Sequence, residues 1–492
     1  MRCSVNFTSR PPQMYIFILI IPLLIHCYIE IKNRRATKML ENLRQPMKLP
    51  FIGTTYKYFN KNLHVGLQNV IEEIGLPNVT WVCSTPSYTT KDVEEVKTIL
   101  NNCLDKSSHY KCLNFAFKNS LLLAPVDEWK RNRKILAKAF CQNILDDYVP
   151  IFNDKSLILL NVLNNKREET NMYDIFQSLA MDCFLQTTMG LDYQIQQNKN
   201  DKYVNILTDM QQIAIRRICN PIMYSDFIFE YFGEGSVLKQ FYRDLREFVL
   251  DIIEKRKKQI QDDDGWVKKA LIDILLTQNE KELFTDEHIV YEILLFWSAA
   301  SDTTGAALAN ACTLLGMHPE IQKKLHEEIL NNVRTDKPIE HSDLKNLRYT
   351  EMVLNETMRI MPVVPLVART ATEDLKLGDK TIPKGTDLAV SVFNVHRDER
   401  YYKQPDKFVP ERFSQEEVAK RPQHCFVPFS AGPRNCIGWK YAMMLMKTAL
   451  ANVVLNFEMS SKHKSVDELK LESDIILRTK IPLDCTFKPR KN

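Results

Sequence analysis

The stretch "FSAGPRNCIG", residues 429–438, sets one of the chain's 12 cysteines among two glycines, a proline and an arginine. A cysteine that binds a metal-bearing cofactor as a thiolate needs hydrogen-bond donors and a favourable electric field, and the start of a helix supplies both. Cys436 stands at such a start, because apolar residues recur at helical spacing directly after it. The stretch therefore predicts a thiolate ligand held in a tight loop.

The neighbours of Cys436 suit the same purpose. Gly432 permits a sharp turn that points backbone N–H groups at the sulfur, and Gly438 lets the following helix approach a flat cofactor closely. Phe429 would cover the sulfur with an apolar ring, and Arg434 can bind a carboxylate of the cofactor as a fork. A structural loop around a buried cysteine is the alternative. Five residue types in this order favour the cofactor site.

The stretch resembles the haem-binding loop of the cytochrome P-450 family, the haem-thiolate monooxygenases, whose pattern is F-x-x-G-x-R-x-C-x-G. The resemblance implies haem b held without covalent attachment apart from the bond between Cys436 and the iron, a ligation that favours O–O cleavage. It also implies the fold class, which is mainly α with small β-sheets. A long central distal helix would lie over the haem, with the cysteine loop on the proximal side and a membrane anchor at the N-terminus.

The overall composition narrows the functional class. The net charge of +5, from 66 Lys and Arg against 61 Asp and Glu, is too small an excess for a nucleic-acid-binding surface. The cysteines are scattered without a CxxC spacing, which indicates reduced thiols rather than a disulfide framework. No flexible linker divides residues 55–492, so we expect a single catalytic domain there, preceded by a proline-containing hinge at residues 36–54.

The N-terminal run Met14–Ile29 is apolar apart from His26. Its sixteen residues fall short of the roughly 20 that a membrane span needs, and a cleaved signal peptide is the alternative. No small-residue cleavage pattern follows the run, which favours an uncleaved anchor within residues 1–35. Cations are more numerous after the run than before it, so the catalytic domain is expected in the cytosol. The resemblance implies the endoplasmic reticulum membrane.

The stretch "AASDTTGAA", residues 299–307, puts polar residues into an apolar helix. Ser, Asp and Thr favour helix caps, so a helix that ends near Ala300 and a second one that begins at Asp302 are the alternative. The preceding "YEILLFWSAA" contains no proline or turn residue, which favours one continuous helix. The stretch resembles the family's distal helix. This implies that Asp302 and Thr303 supply protons during oxygen activation, with Thr304 beside them.

Two positions depart from the family pattern. Ala300 stands where the family usually has glycine, close to the oxygen pocket. Ala299 stands where the fatty-acid-hydroxylating branch often has a glutamate that forms an ester with the haem. Because alanine cannot form that bond, we expect the haem to be held by Cys436 and by non-covalent contacts.

The motif "WKRNR" sets Trp129 and Arg133 on one helical face, at positions i and i+4. An ordinary amphipathic helix is the alternative. The motif resembles the family's W-x-x-x-R, which implies that both side chains reach a haem propionate. The resemblance also implies a propionate contact for Arg369.

The motifs "ETMR", Glu356 to Arg359, and "PERF", Pro410 to Phe413, precede the cysteine loop in this order. Alone, a Glu and an Arg three residues apart on a helix contribute only about 0.2–0.5 kcal/mol. Their order resembles the family's E-x-x-R helix and its later arginine. This implies a buried ion network of Glu356, Arg359 and Arg412 that serves folding and cofactor retention rather than chemistry.

Several lysines lie on the two helices predicted next to the cofactor. Lys130, Lys134 and Lys138 belong to the helix of the "WKRNR" motif, and Lys440 and Lys447 belong to the helix after Cys436. A solvated helix face is the ordinary explanation of such a group. In the family this proximal surface docks an acidic electron-transfer domain, and steering between opposite charges raises the rate of association. The resemblance implies NADPH–cytochrome P-450 reductase as the partner, with cytochrome b5 as a second candidate.

The predicted activity is insertion of one oxygen atom into a lipophilic substrate, with electrons from NADPH through the reductase. The layout most resembles the microsomal branch that includes fatty-acid ω-hydroxylases. Two alternatives remain: a peroxide-acting haem-thiolate isomerase or dehydratase, and a catalytically silent haem- or lipid-binding membrane protein. The expected substrate walls are apolar or small: Phe115, Phe117, Met210, Ile213, residues 296–300 and residues 363–366.

Overall fold

The computed structural model describes residues 12–59, 62–165, 171–197, 202–262, 270–334, 336–473 and 475–490. Most of them are helical, in line with the predicted fold class. The α-helices are α1 (Pro12–Leu40), α2 (Leu63–Ile74), α3 (Val93–Asn102), α4 (Asn114–Phe117), α5 (Val126–Leu136), α6 (Gln142–Asp146), α7 (Val149–Asn164), α8 (Met172–Phe184), α9 (Lys202–Cys219), α10 (Asp226–Phe232), α11 (Gly235–Asp262), α12 (Leu271–Glu280), α13 (Asp286–Met317), α14 (Pro319–Asn332), α15 (His341–Asn346), α16 (Arg348–Ile360), α17 (Val392–Val395), α18 (Gln415–Ala419) and α19 (Trp439–Asn456).

The strands form small sheets at the edges of the helical body. They are β1 (Asn78–Val82), β2 (Thr85–Thr90), β3 (Val367–Thr370), β4 (Leu375–Leu377), β5 (Lys380–Ile382), β6 (Asp387–Val390), β7 (Phe457–Ser460), β8 (Leu471–Ser473), β9 (Leu477–Thr479) and β10 (Thr486–Pro489). The largest sheet has the order β1-β2-β6-β3, in which β2 and β6 run parallel. The pairs β4–β5, β7–β10 and β8–β9 are antiparallel.

The central helix α13 runs unbroken for 32 residues. It begins after Thr285, whose side chain caps the helix by accepting from the N–H of His288 at 3.1 Å. The polar stretch at residues 299–307 lies inside this helix. The alternative of a helix end near Ala300 is therefore wrong, and the prediction of one continuous helix is confirmed.

The main core forms where α7, α8, α16 and α19 surround the second half of α13. Gly305 allows α8 and α13 to pack closely, because a Cβ atom there would stand 2.6 Å from the backbone nitrogen of Gln177 in α8. Close contact between α8 and α13 brings side chains of α8 beside the polar residues of the central helix.

The predicted anchor at Met14–Ile29 falls within α1, but the side chains of residues 1–23 and 25 lie outside the described part of the chain. Among the described residues, no helix is both long and apolar enough to cross a membrane. The predicted hinge at residues 36–54 begins too early, because α1 continues to Leu40. Its end is tied to the main sheet, since Thr54 N–H donates to the carbonyl of Trp81 at 2.7 Å.

Candidate active site

The cysteine loop precedes α19 directly, and Gly438 is the N-cap position of that helix. The N–H of Cys436 donates to the carbonyl of Phe429 at 2.9 Å, which closes the loop. Cys436 is exposed by surface area, but the exposure is to an internal cavity that its side chain lines. Burial raises the pKa of this thiol, while the Gly438 N–H and the charge of Arg133 lower it.

Gly432 shapes the turn before the cysteine. Its φ of +69° lies in the left-handed region that favours glycine. A Cβ atom there would stand 2.1 Å from the carbonyl oxygen of Leu100. The loop therefore depends on a residue without a side chain, both for its conformation and for its contact with α3.

A cavity of about 360 Å³ separates the cysteine loop from α13. The loop lines it with Phe429, Cys436 and Gly438, and α13 lines it with Ala299 to Thr304 apart from Ser301. The cavity thus has a thiol on one side and the polar section of the central helix on the other. This is the arrangement that the sequence pattern predicts for a cofactor between the two elements.

A cluster of cations lies at this cavity, with Asp105 as an acidic neighbour of Arg434. Lys106 lines it, and the pKa of Lys106 lies well below its usual range through burial and through repulsion by Arg369, Arg434 and Arg133. The pKa of Arg434 falls to about 10, mainly by burial and then by the charge of Arg369. The buried Nε of Arg369 has no hydrogen-bond partner among the described residues. A cofactor that brings carboxylates would neutralise this cluster.

The two residues of the "WKRNR" motif point to different partners. Trp129 is buried, and the guanidinium of Arg434 stacks 4.2 Å from its ring centroid. Arg133 donates to the backbone oxygen of Asn435 at 2.8 Å and to its Oδ1 at 2.6 Å. Arg133 therefore braces the cysteine loop next to the thiol. Lys106, which the sequence analysis missed, is the cation that lines the cavity itself.

Asp302, Thr303 and Thr304 of α13 all line the cavity but differ in their hydrogen-bond partners. The Thr303 hydroxyl donates to the carbonyl of Ala299 at 2.8 Å. Asp302 is buried and accepts hydrogen bonds from Gln177 of α8 and Gln211 of α9. Burial raises the pKa of Asp302, and Arg478 and the two amides partly oppose that shift.

The predicted ion network comes together on the far side of the core. Arg359 donates to both carboxylate oxygens of Glu356, at 2.6 and 2.8 Å, and both side chains have 0% exposure. Nε of Arg412 lies 3.4 Å from the same carboxylate. Arg359 also donates to the carbonyls of His396 and Lys407, each at 3.1 Å, which ties α16 to the loops that lead to the cysteine.

The predicted lysine surface and the predicted substrate walls are each wrong in part. Lys447 is not on the proximal surface, because it is only 9% exposed and its Nζ donates to Glu351 at 2.6 Å on α16. Phe115, Met210 and Ile213 do not line the cavity and instead pack into neighbouring apolar clusters. The predicted walls Phe117, Phe296 and Val363 do line it, and α9 contributes Gln211.

Comparison with known proteins agrees with this geometry. The family model described as "Cytochrome P450" matches residues 43–487. The chain belongs to the cytochrome P450 family. Cytochrome P450 4V2 of Homo sapiens is 35% identical over 418 residues, which cover 81% of this chain and 79% of the relative. Cytochrome P450 4c3 of Drosophila melanogaster is 30% identical over 492 residues, which cover 93% and 91%.

Membership in the family defines the activity and the cofactor. The protein is a haem-thiolate monooxygenase that uses haem b with a cysteine–iron bond. The cavity beside Cys436 and the cluster of cations around Lys106 fit this group, because haem b carries a metal for the thiol and two carboxylates for the cations. Neither the isomerase nor the silent-protein alternative finds support among the relatives.

Proposed function

We propose that Cys436 is the axial ligand of haem b in this chain and that the enzyme hydroxylates fatty acids. The observation that carries the proposal is the cavity that Cys436 shares with Asp302, Thr303 and Thr304. The haem, when bound, supplies the oxidising chemistry that inserts one oxygen atom of O2 into a substrate C–H bond.

The chain's own residues would hold the cofactor and control its surroundings. The Gly438 N–H and Arg133 stabilise the Cys436 thiolate, and the ring of Phe429 shields it from water. The propionates would be bound by the buried cations and by Trp129, that is by Lys106, Arg133, Arg369, Arg434 and the indole beside them.

Asp302, Thr303 and Thr304 would move protons from the interior of the protein to the cavity. A carboxyl group that is buried and hydrogen-bonded, next to a hydroxyl in the cavity, suits transfer of a proton between fixed positions. Glu356, Arg359 and Arg412 have no place in the chemistry, and they would keep the fold that retains the cofactor.

The substrate space is long and apolar. A second cavity of about 200 Å³ adjoins the first and shares Tyr110, Leu113, Val364 and Ile475 with it. Its wall contains Ile215, Ile218 and Cys219 of α9 and Leu366. Two adjoining apolar cavities suit an extended hydrocarbon chain whose terminal carbons reach the space beside Cys436.

The direct test is reconstitution of the enzyme in phospholipid vesicles with NADPH–cytochrome P-450 reductase and dodecanoate. We expect hydroxylated dodecanoate, detected by mass spectrometry, that requires NADPH, the reductase and Cys436. Absence of product from dodecanoate and from longer fatty acids would rule out the substrate class. Turnover of a lipid hydroperoxide without reductase would support the isomerase or dehydratase alternative instead.

Docking of the reductase is assigned to the exposed Lys130, Lys134, Lys138 and Lys440. Reduction of the iron by the reductase should slow with added salt, because steering between exposed charges is screened. At low salt, a variant with these lysines replaced by glutamate should be reduced more slowly by the reductase than the wild type. An unchanged rate in that variant would place the docking site elsewhere.

Membrane attachment is assigned to the apolar run Met14–Ile29 and to an aromatic surface around α10. Ile222, Phe227, Tyr231 and Phe232 are 63% to 75% exposed in this second surface. Flotation of the protein with vesicles, weakened by Phe232→Ser, would support the second contact, and equal flotation of that variant would exclude it.

The haem is expected to leave the denatured chain completely. Ala299 lines the cavity, and a methyl side chain cannot form an ester with the haem. Acidified organic solvent should therefore move all haem to the organic phase, as measured by absorbance of both phases. Haem that stays with the protein would contradict this prediction, and Ala299→Glu provides the matched variant in which retention is chemically possible.

A further inference from the structure

Asp302 is held by side chains from three separate elements. Gln177 of α8 and Gln211 of α9 donate to different carboxylate oxygens. The Arg478 guanidinium of β9 stands 3.5 Å from Oδ1. Gln211 also donates to the Ser298 hydroxyl at 3.0 Å. Because the amides from α8 and α9 are neutral, Arg478 is the charged group that these elements turn toward the carboxylate.

Arg478 is itself fixed between the acid and solvent. Its guanidinium lies 5.6 Å from the ring centroid of Tyr173. The Tyr173 hydroxyl donates at 2.9 Å to Asn310, which lies on the same helix as Asp302. The Arg478 side chain is 26% exposed, whereas that of Asp302 is 3% exposed. Arg478 therefore lies between the buried Asp302 and the surface, where its charge also lowers the pKa of Asp174 on α8 against the effect of burial.

The hairpin that carries Arg478 also contacts the substrate space. Ser473 of β8 pairs with Leu477 of β9. Ile475 and Ile476, between the two strands, line the cavity next to Cys436. The Leu477 N–H donates to the carbonyl of Val363, another cavity residue, at 2.8 Å. One short segment thus lines the cavity and carries the cation that faces Asp302.

We propose that Arg478 is a positioning residue for proton delivery, whose charge keeps the Asp302 carboxylate between the two amides and aligned with the substrate space. The proposal rests on the role of Asp302 in the proposed function. A buried carboxylate without a counter-charge is strongly disfavoured and takes up a proton instead. The protonated group would then have to rearrange, because both amides donate to it.

The first test follows the protonation of Asp302 and does not depend on a substrate. The carboxyl infrared band that disappears in Asp302→Asn is titrated in the haem-loaded protein and in variants of it. Arg478→Gln should move the midpoint upward by about one pH unit or more, since loss of a cation raises the pKa of a carboxyl. Arg478→Lys and the control Lys480→Ala should keep the wild-type midpoint. Lys480 lies on the same hairpin segment and is 65% exposed.

The second test measures how electrons are used with dodecanoate as the probe. Dodecanoate, O2, one NADPH and one proton give hydroxylated dodecanoate, water and NADP+. When protons reach the cavity poorly, O2, one NADPH and one proton instead give hydrogen peroxide and NADP+, and the dodecanoate stays unchanged. Arg478→Gln should lower product formed per NADPH severalfold, because a shift of about one unit in the pKa of Asp302 changes its protonation equilibrium about tenfold. Arg478→Lys should restore the yield, and in the Asp302→Asn background Arg478→Gln should have no further effect.

Each result bears on the proposal separately from the substrate assignment. An unchanged midpoint and product yield in Arg478→Gln would overturn it, as would an equal shift in Lys480→Ala. If Arg478→Gln loses its haem spectrum, Arg478→Met removes the charge while keeping an apolar stem against Tyr173. If the wild type does not oxidise dodecanoate, the fatty-acid assignment fails, and the infrared titration still decides the role of Arg478.

Discussion

Replacement of Cys436 by serine is expected to abolish the strongly red-shifted carbon monoxide band of the reduced enzyme, and all NADPH-dependent product formation with it. A thiolate is a soft, negatively charged ligand that donates electron density to the iron, whereas a serine hydroxyl stays protonated at neutral pH. The Gly438 N–H and Arg133 favour a negative charge at this position, but they act too weakly to ionise an alcohol. The measurement is a carbon monoxide difference spectrum of both proteins.

Cys141→Ser is the matched control, because Cys141 is also exposed and lies near α5 but does not line the cavity. It should keep the wild-type spectrum and activity. A red-shifted band in Cys436→Ser would mean that another residue ligates the iron. A band at the position typical of histidine-ligated haem in the wild type would contradict the thiolate assignment itself.

Structural features that depend on residues close together in the sequence were predictable. The turn at Gly432, the start of α19 and the continuity of α13 all follow from residues within a few positions of each other. The pairing of Glu356 with Arg359 is likewise local, three residues along one helix. The resemblance then supplied the order of these segments, and the structure brings Arg412 to the same carboxylate.

Contacts between distant segments were not predictable in this way. Gln177 and Gln211 reach Asp302 across 125 and 91 residues of sequence, and no pattern near either glutamine marks it. The role of Lys106 could not be predicted, because an isolated antiparallel β-bridge brings it next to Arg369, which is distant in sequence. Such residues are found by asking which side chains surround a buried charge, a question that needs coordinates.

The error at Lys447 has a related cause. Because lysine is usually solvent-exposed, the sequence predicts an exposed side chain at this position of α19. Which face of α19 is exposed, however, depends on where α15 and α16 pack. Lys447 lies on the covered face, with its ammonium between Leu344 and Glu351. Its aliphatic stem fills the interface while the charge is paired, a common use of long cationic side chains. The surface proposed for reductase docking therefore does not include Lys447.

Substitution of Arg359 by methionine is expected to lower the free energy of unfolding by about 3–5 kcal/mol, because it strands the Glu356 carboxylate in the core. Glu356 has 0% exposure and would keep only the Val409 N–H, at 2.9 Å, and the more distant Arg412. The carbonyls of His396 and Lys407 would also lose their donor. Urea unfolding, followed by circular dichroism and by haem absorbance, measures the change.

Arg334→Met is the control for this substitution, since Arg334 is 67% exposed and pairs with Asp336 at the surface. A surface pair of this kind contributes about 0–1 kcal/mol. Adding Glu356→Gln to Arg359→Met should recover part of the lost stability, because the stranded charge is removed. Equal destabilisation by the two arginine substitutions would show that the network does not stabilise the core.

The pH dependence separates a stranded charge from a simple loss of packing. Burial raises the pKa of Glu356, and hydrogen bonding to Arg359 opposes that rise. Without Arg359 the folded-state pKa should therefore move further above the unfolded value. The folded variant then gains relative stability as the pH falls through that raised pKa and Glu356 becomes neutral, so its deficit against wild type should shrink toward acid. A deficit that stays constant with pH would instead indicate that lost packing and lost donors to His396 and Lys407 account for the effect.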